Sequence, residues 1–524
     1  MRADSQFTGF DSFDPHSGSG DFDHSVSIKQ LLPIAKFFQC QDITVKNLAT
    51  EVTDAAAGDL VCFQTGKHDP VTFAATALAR GASAILTEQL LPCPLPQAIV
   101  GDAIEAACSI ASGLQGNPYQ EMLTIGVVGD SGKTSTALMI AGLLKKIGIR
   151  TAYETDLGSS DGIVQSTPEN AAASGLELIE KIAEARDAAS GAMVIEYSGD
   201  NPGASAGLKL DILVVTGADS LLHNSPAGNH FGPDALTVAL EQTKQDAVVI
   251  VPSDHSKWVR RIDDSGLRRV TYGLRRPADV SAKVFEELPG ETTLMVTCGD
   301  ETAAMQTRHC GEPMALNALA ALSVGMLIET PLHQAIAAVC DLPQIPGRMQ
   351  RLTGFDTAAV VIDAGGSADR LAASLRTLRR QRRNSGKVWC LLTLDSSVSN
   401  SENDAHQNDM LARMGRAAER FADRIVLTST DNSKTTFLKS SHAVLDGFKN
   451  VAVARLVADQ TKAIQWAMTH AEPWDTILVV TGDGDSTAAS RRRSVQNIET
   501  LVENLRNSET VKRETVPATI KMFN

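Results

Sequence analysis

The sequence predicts an α/β protein built on a mostly parallel, doubly wound sheet, and three observations carry that expectation. Short continuous apolar runs, such as Leu123-Thr-Ile-Gly-Val-Val128, suit strands buried on both faces. Stretches of helical periodicity alternate with them, which is the pattern of βαβ units. A glycine-rich turn over residues 129–132 joins one such run to one such helix, at the strand end where open parallel sheets hold their ligands.

Taken in order, residues 1–25 are rich in Asp, Ser and Gly, with phenylalanines too irregularly spaced for a helix or strand face. A disordered acidic tail is expected there. Residues 26–118 read as a small α/β domain: apolar runs at Ile43 and at Leu60-Val-Cys62, a helix from Phe73 to Arg80, a strand from Ala84, and an end near Gly116-Asn-Pro118. A second domain is expected over 119–345, with further strands at Ala192-Met-Val-Ile-Glu196, Leu210-Asp-Ile-Leu-Val-Val-Thr216 and Ala247-Val-Val-Ile-Val251. The Pro/Gly-punctuated stretch from Leu342 to Met349 leads into a third, over 346–505, with strands at Ala359, Val388, Arg424 and Thr476. A flexible polar tail is expected over 506–524.

Composition narrows the function. The 524 residues are several times the ~150-residue prior for one domain, so a small module is excluded. A formal charge of −14 repels nucleic-acid backbones and anionic lipid, and 4% aromatic content leaves little for base stacking. Any phosphate must therefore be held by local groups. No apolar run approaches the ~18 residues of a membrane span, and the polar, acidic N-terminus is unlike a signal peptide. A cytoplasmic monomer is expected. The 8 cysteines are scattered without zinc-ligand spacing and read as reduced, mostly buried thiols.

The informative segment is Gly129-Asp130-Ser131-Gly132-Lys133-Thr134-Ser135. Glycines let backbone N–H groups converge on phosphate oxygens, and the helix N-terminus adds positive potential. Lys133 spans β- and γ-phosphates, and Thr134 holds Mg²⁺. Val127 stands where the first glycine of the longer phosphate-loop pattern would fall, and a chance Gly-Lys-Thr turn is the bland alternative. Glu196 ends a buried strand, a position suited to a second metal ligand. Asp130 brings a like charge near the phosphates at a cost on the order of a few kcal/mol, unless it holds Mg²⁺ or points to solvent. Asp363 and Asp369 fit equally well as caps of a helix starting at Arg370. The arginines at 376, 379, 380, 382 and 383, and those at 491–493, read as solvated helix faces, and Asp483 and Asp485 as turn residues.

These features in this order resemble the Mur ligase family, ATP-dependent ligases that build the peptidoglycan peptide, and among them the UDP-N-acetylmuramoyl-tripeptide synthetases. The first domain, through Thr53-Asp54, Gly58-Asp-Leu60 and Ala79-Arg-Gly-Ala-Ser-Ala84, looks like the family's uridine-nucleotide domain. Ser166-Thr167-Pro168-Glu169 resembles the stretch that contacts the muramoyl peptide, and Glu196-Tyr-Ser198 the strand end whose Glu holds Mg²⁺. Tyr272-Gly273 is a further match, Asn317 resembles an adenine-side Asn, and Arg348 in Pro346-Gly-Arg-Met349 resembles the hinge arginine. Thr428-Ser-Thr-Asp431-Asn432-Ser-Lys434 looks like the segment that recognises diaminopimelate.

The resemblance implies a three-domain fold with a central phosphate-loop sheet and a Rossmann-like C-terminal domain. It implies ATP and Mg²⁺ as cofactors, and a UDP-muramoyl peptide and an amino acid as substrates. Lys133 and Glu196 would be catalytic, and Thr134 and Glu196 would hold the metal. Residues 129–135, Asn317 and Arg348 would bind ATP; Thr167, Pro168, Ser198, Asp431, Asn432 and Lys434 would bind the substrates. The departures fall at chemical positions. The family's His after Glu-Val-Ser is replaced in Glu196-Tyr-Ser-Gly-Asp200, and its Asn and His are lost over 216–222, with His223 displaced. The lysine that family members carbamylate should fall near Ala239-Leu240, with Lys244 about a helical turn away. Asp54-Ala-Ala56, Asp363-Ala-Gly-Gly366 and Gly482-Asp-Gly-Asp-Ser486 are also altered motifs. A catalytically weakened, nucleotide-binding paralogue with a scaffolding role is therefore the alternative. Ligation of a folate or storage polypeptide is a third possibility, disfavoured by the first domain.

Overall fold

The computed structural model describes residues 25–167, 175–197, 208–217, 233–382, 385–394, 404–430, 433–481 and 488–514. They form two compact units that divide between Asn117 and Pro118. The N-terminal tail expected over 1–25 falls, Ser25 apart, outside the described residues.

The first unit opens with β1 (Val26–Ser27), α1 (Ile28–Leu31), β2 (Lys36–Phe38), β3 (Thr44–Val45) and β4 (Leu48–Ala49). It continues through β5 (Leu60–Cys62), α2 (Pro70–Arg80), β6 (Ala84–Thr87), β7 (Gln97–Ile99) and α3 (Ala103–Leu114). Five strands make one sheet in the order β2-β7-β6-β5-β4. Successive side chains alternate between its faces: Leu60 and Cys62 join one core, Val61 and Phe63 the other. Asp69 caps α2 through the Thr72 N–H, and Gly81 in the left-handed region ends it, which fixes the predicted helix at both ends.

The second unit begins with β8 (Leu123–Val128), α4 (Lys133–Lys146), β9 (Thr151–Thr155), β10 (Gly158–Ser160), β11 (Gln165–Ser166), α5 (Gly175–Asp187) and β12 (Ala192–Glu196). There follow β13 (Leu210–Val215), α6 (Pro233–Glu241), β14 (Thr243–Pro252), α7 (Ser256–Ser265) and β15 (Arg268–Gly273). The predicted strands at Leu123, Ala192, Leu210 and Ala247 all form, and lie parallel in the order β9-β12-β8-β13-β14-β15. Ile125, Val127, Val194 and Val214 face one core, and Val128, Met193, Ile195 and Leu213 the other, so helices cover both faces as a doubly wound sheet requires. From β8 the chain moves first to β9 and β12 on one side, then to β13 on the other. The switch point, where such sheets bind ligands, is thus the C-terminal end of β8.

The sequence reading missed an antiparallel extension: β16 (Val280–Leu288), β17 (Glu291–Cys298) and β18 (Glu301–Thr307) bring this sheet to eleven strands. Its signal was alternation without a continuous apolar run, with Leu294 and Val296 buried and glycine turns at Gly290 and Gly299. Then α8 (Glu312–Leu327) and α9 (Leu332–Cys340) lead into a second sheet.

That sheet comprises β19 (Gln350–Leu352), β20 (Ala359–Asp363), β21 (Val388–Thr393), β22 (Arg424–Ser429), β23 (Ala454–Asp459) and β24 (Thr476–Val480), in the order β19-β20-β24-β21-β22-β23. All but β19 run parallel. Its helices are α10 (Ala368–Gln381), α11 (Asp404–Phe421), α12 (Lys434–Leu445), α13 (Gln460–His470) and α14 (Ala488–Glu514). Again two cores flank one sheet. Helix α14 runs to Glu514, into the stretch read as a polar tail from 506, and Arg506 anchors it by donating to the carbonyls of Leu352, Thr353 and Ala358.

His309, between β18 and α8, is buried, and its Nε2 has no hydrogen-bond partner among the described residues. Burial pushes its pKa down to about 4 from an ordinary 6.5. Its folded-state pKa lies below the unfolded one, so the neutral ring contributes fully above pH ~6.5. The contribution is lost as pH falls towards ~4, to a total of about 3 kcal/mol. Urea unfolding across this range is expected to show His309→Leu losing less stability than the wild type; equal slopes would contradict it.

Candidate functional site

The chain leaves β8 at Val128 and turns into α4 through Gly129 and Gly132, both at positive φ. A Cβ on Gly129 would stand 2.3 Å from Thr216 Oγ1, and one on Gly132 2.4 Å from Asn317 Oδ1, so both positions exclude side chains on space as well as on backbone conformation. Val127, where the longer pattern has its first glycine, is a fully buried strand residue. The shortened loop follows from that: the strand runs two residues further before it turns.

The loop backbone is well anchored. The N–H groups of Asp130 and Ser131 donate to the Gly217 carbonyl at 3.0 and 3.2 Å, and Lys133 Nζ donates to the Gly129 carbonyl at 3.1 Å. In the first turn of α4, Thr134 and Ser135 are buried, and Thr134 Oγ1 donates to Glu196 Oε1 at 3.0 Å. Glu196 ends β12 and is also buried; its Oε2 accepts the Asp156 N–H at 3.0 Å. Burial, then the nearby Asp156 carboxylate, hold the Glu196 carboxyl well above the usual carboxylate range, against the pull of the Lys133 ammonium.

A hydroxyl and a carboxylate beside a phosphate-binding loop are the hard oxygen donors that suit Mg²⁺, which takes one or two protein ligands and completes its shell with water and phosphate. Among the described residues there is no cluster of three or more His, Cys, Asp or Glu that would hold a metal by itself. The donor set fits a metal shared with a nucleotide.

Other predicted residues fall around this centre. Asn317, on α8, packs against Gly132 and so lies at the loop backbone. Half-buried Arg348 has Arg370, Asp363, Glu196 and Asp156 around it; burial and Arg370 lower its affinity for its proton, and the three carboxylates oppose them. Asp363 is buried at the end of β20, accepting the Met349 N–H at 3.1 Å and the Ser374 hydroxyl at 2.7 Å. It does not cap α10, and neither does exposed Asp369: Ser367 does, through the Arg370 N–H. Thr167 is exposed beyond β11, and Lys434 is exposed in the first turn of α12, beyond the end of β22. Pro168, Ser198, Asp431 and Asn432 lie outside the described residues, as do His223, Arg383, Asp483 and Asp485.

Lys244 does not approach the loop. It lies near the start of β14, where its Nζ pairs with Asp211 at 2.7 Å, and Asp211 accepts from both N–H and hydroxyl of Thr124 near the start of β8. In a parallel sheet this is the edge opposite the phosphate loop. It therefore cannot take the place of the absent lysine.

Two arginines that the sequence reading did not assign to the site do reach it. Arg370, in the first turn of α10, donates to the Asp130 carbonyl, and Arg491, early in α14, lies 3.3 Å from the Asp156 carboxylate. Arg491 had read as part of a solvated face, but it is half-buried here. The position of Arg370 just after a parallel strand end, behind a serine cap, was the available signal.

Residues 347–484 match the family described as Mur ligase, glutamate ligase domain. The C-terminal part of the chain is thus a Mur ligase C-terminal domain. The chain is 23% identical over 438 residues to the UDP-N-acetylmuramoyl-L-alanyl-D-glutamate–2,6-diaminopimelate ligase of Bacillus cereus, covering 82% of this chain and 86% of the relative. It is 26% identical over 433 residues to the UDP-N-acetylmuramyl-tripeptide synthetase of Deinococcus radiodurans, covering 80% and 85%. Among solved structures, a UDP-N-acetylmuramoyl-L-alanyl-D-glutamate–2,6-diaminopimelate ligase superimposes with a TM-score of 0.64 at 18% identity, over 91% of this chain and 99% of the other. A folylpolyglutamate synthase from Mycobacterium tuberculosis gives 0.54 at 18% identity, over 74% and 94%. The Mur ligase fold is thus matched over nearly the whole chain.

Lys244→Met is expected to cost about 1 kcal/mol or less in stability and to leave nucleotide affinity within twofold of wild type. Glu196→Gln, by contrast, should abolish the Mg²⁺ dependence of that affinity. Thermal melting and nucleotide titration with and without Mg²⁺ check both, and a nucleotide defect in Lys244→Met would overturn the placement of that lysine.

Proposed function

We propose that the protein is an ATP-dependent acid–amino-acid ligase of the Mur type, adding an amino acid to a UDP-N-acetylmuramoyl peptide in cytoplasmic peptidoglycan biosynthesis. The observation that carries this reading is the Thr134–Glu196 hydrogen bond at the mouth of a glycine loop with Lys133 folded over it. The named activities of the Bacillus and Deinococcus relatives, matched over four-fifths of the chain, support the substrate class.

In the first step a carboxylate oxygen of the muramoyl peptide bonds to the γ-phosphorus of ATP, the bond from that phosphorus to the bridging oxygen breaks, and ADP departs. In the second the amino acid's nitrogen bonds to the acyl carbon, the carbon–oxygen bond breaks, inorganic phosphate leaves and the amine gives up a proton. Both partners of the first step are anions, so positioning and charge neutralisation dominate. Lys133 and Arg348 supply fixed positive charge, and Asn317 steadies the loop on the nucleotide side. Thr134 and Glu196 would hold Mg²⁺, which when bound neutralises phosphate charge. Thr167, Pro168, Ser198, Asp431, Asn432 and Lys434 are proposed for the peptide and amino-acid substrates. Three functional domains, 26–118, 119–345 and 346–505, go with this reading.

A second reading, a nucleotide-binding scaffold with little ligase activity, is favoured by one observation: Lys244 stands at the wrong edge of the sheet to replace the missing lysine. Phosphate release from ATP by purified protein with UDP-muramoyl dipeptide and a panel of amino acids separates the two. The ligase is expected to release phosphate only with one or a few amino acids, and Lys133→Ala to lose at least 100-fold. Amino-acid-independent background despite measurable nucleotide binding would favour the scaffold.

A further inference from the structure

Beyond the predicted phosphate-loop residues, the only side chain of the C-terminal sheet's helices that bonds the loop backbone, among the described residues, is Arg370. We propose that Arg370 is an arginine finger supplied in cis, contacting the terminal phosphate of the bound triphosphate and thereby distinguishing ATP from ADP. This rests on the nucleotide-binding part of the function proposed above.

Three observations support it. The first is place: the guanidinium donates to the carbonyl of Asp130, the residue just ahead of the Ser131-Gly-Lys-Thr turn that cradles phosphates. The second is capacity. A guanidinium carries five donors in a planar fork, and that of Arg370 makes no other hydrogen bond among the described residues, so it has donors to present to an oxyanion beside the loop. The third is charge. Glu196, Asp156 and Asp363 already crowd this cleft, a triphosphate adds several negative charges, and Lys244 is held at the opposite sheet edge. Arg491 is engaged with Asp156, and Arg348 lies among the three carboxylates, which leaves Arg370 as the arginine at the loop itself. Charge developing on the three equatorial oxygens of a transferring phosphoryl group is what such an arginine stabilises.

The test compares Mg²⁺-dependent binding of ADP and of the β,γ-imido analogue of ATP by calorimetry, in wild type, Arg370→Lys, Arg370→Gln and Lys133→Ala, with thermal melting as the check on folding. The wild type should prefer the analogue. Arg370→Gln is expected to weaken the analogue at least 10-fold while leaving ADP within twofold, and Arg370→Lys to fall between. Lys133→Ala should weaken both. Equal weakening of both nucleotides by Arg370→Gln, or no change in either, would overturn the proposal and leave the nucleotide site standing. Failure of the wild type to bind either nucleotide would overturn the site as well. If Arg370→Gln does not fold, Arg370→Lys alone decides, since a lysine keeps the charge but not the fork, and an unchanged preference for the analogue would then refute the assignment.

Discussion

The hydrogen bond from Thr134 to Glu196 ties the first turn of α4 to the end of β12, and the electrostatics of the cleft follow from it. A carboxylate buried at a strand end is costly unless cations or donors attend it. Here one oxygen takes the threonine hydroxyl and the other a backbone N–H, but Asp156 stands close enough to raise the carboxyl's proton affinity further. The compensation is long-range in sequence. Arg491 pairs with Asp156 from residues more than three hundred positions downstream, and Arg348 sits among Asp156, Glu196 and Asp363. The cleft is poised for a cation, and the chain's own cations come from both sheets of the second unit.

Sheet polarity explains which substitutions at chemical positions matter. The groups that the central sheet's own strands bring to the loop lie at its C-terminal edge: Gly129 after β8, Glu196 at the end of β12, Thr216 and Gly217 after β13. The β-strand ends carry outward-directed backbone groups and the helix N-termini there add positive potential, so anions collect on that edge and not on the other. Lys244 is on the other. A lysine about a helical turn from the expected position in sequence thus belongs to a different element, because the helix ends at Glu241 and β14 has begun by Thr243. Linear distance misleads most where an element boundary intervenes.

The buried strands were legible because strands covered on both faces must be largely apolar, and β8, β12, β13, β20, β21 and β24 are. The phosphate loop was legible because its glycines are required by close approach at Thr216 and Asn317. The β16–β18 meander was not, since its strands alternate and its outward faces carry Lys283, Glu286 and Thr302 as a surface would. Capping of α10 by Asp363 or Asp369 stayed open in the sequence because Ser, Asp and Asn cap equally well by type, and only geometry shows that Ser367 is the cap and that Asp363 is spent on Met349 and Ser374. Arg370 and Arg491 were illegible for a deeper reason. An arginine on a helix is by default a solvated residue, and what distinguishes these two is a partner contributed by another sheet.

That last point bears on how the site is assembled. Of the residues offering anionic or carbonyl partners, Asp130, Asp156 and Glu196 precede residue 217 and Asp363 lies later, whereas Arg348, Arg370 and Arg491 all follow the Pro346-Gly347 turn. Beyond Lys133, positive charge at the cleft therefore depends on how the second sheet packs against the first. Arg370 joins the loop to the N-terminus of α10, and Gln350 joins β19 to Glu499 of α14, so the arginine-bearing helices are braced from both ends of the connection. A guanidinium held this way is preorganised: its rotamer entropy is already spent and its fork already aimed. In a cleft lined with carboxylates, such fixed cations reduce the repulsion that an anionic ligand would meet. They do so only while the two sheets remain docked, which couples the charge balance of the cleft to the packing of the second sheet against the first.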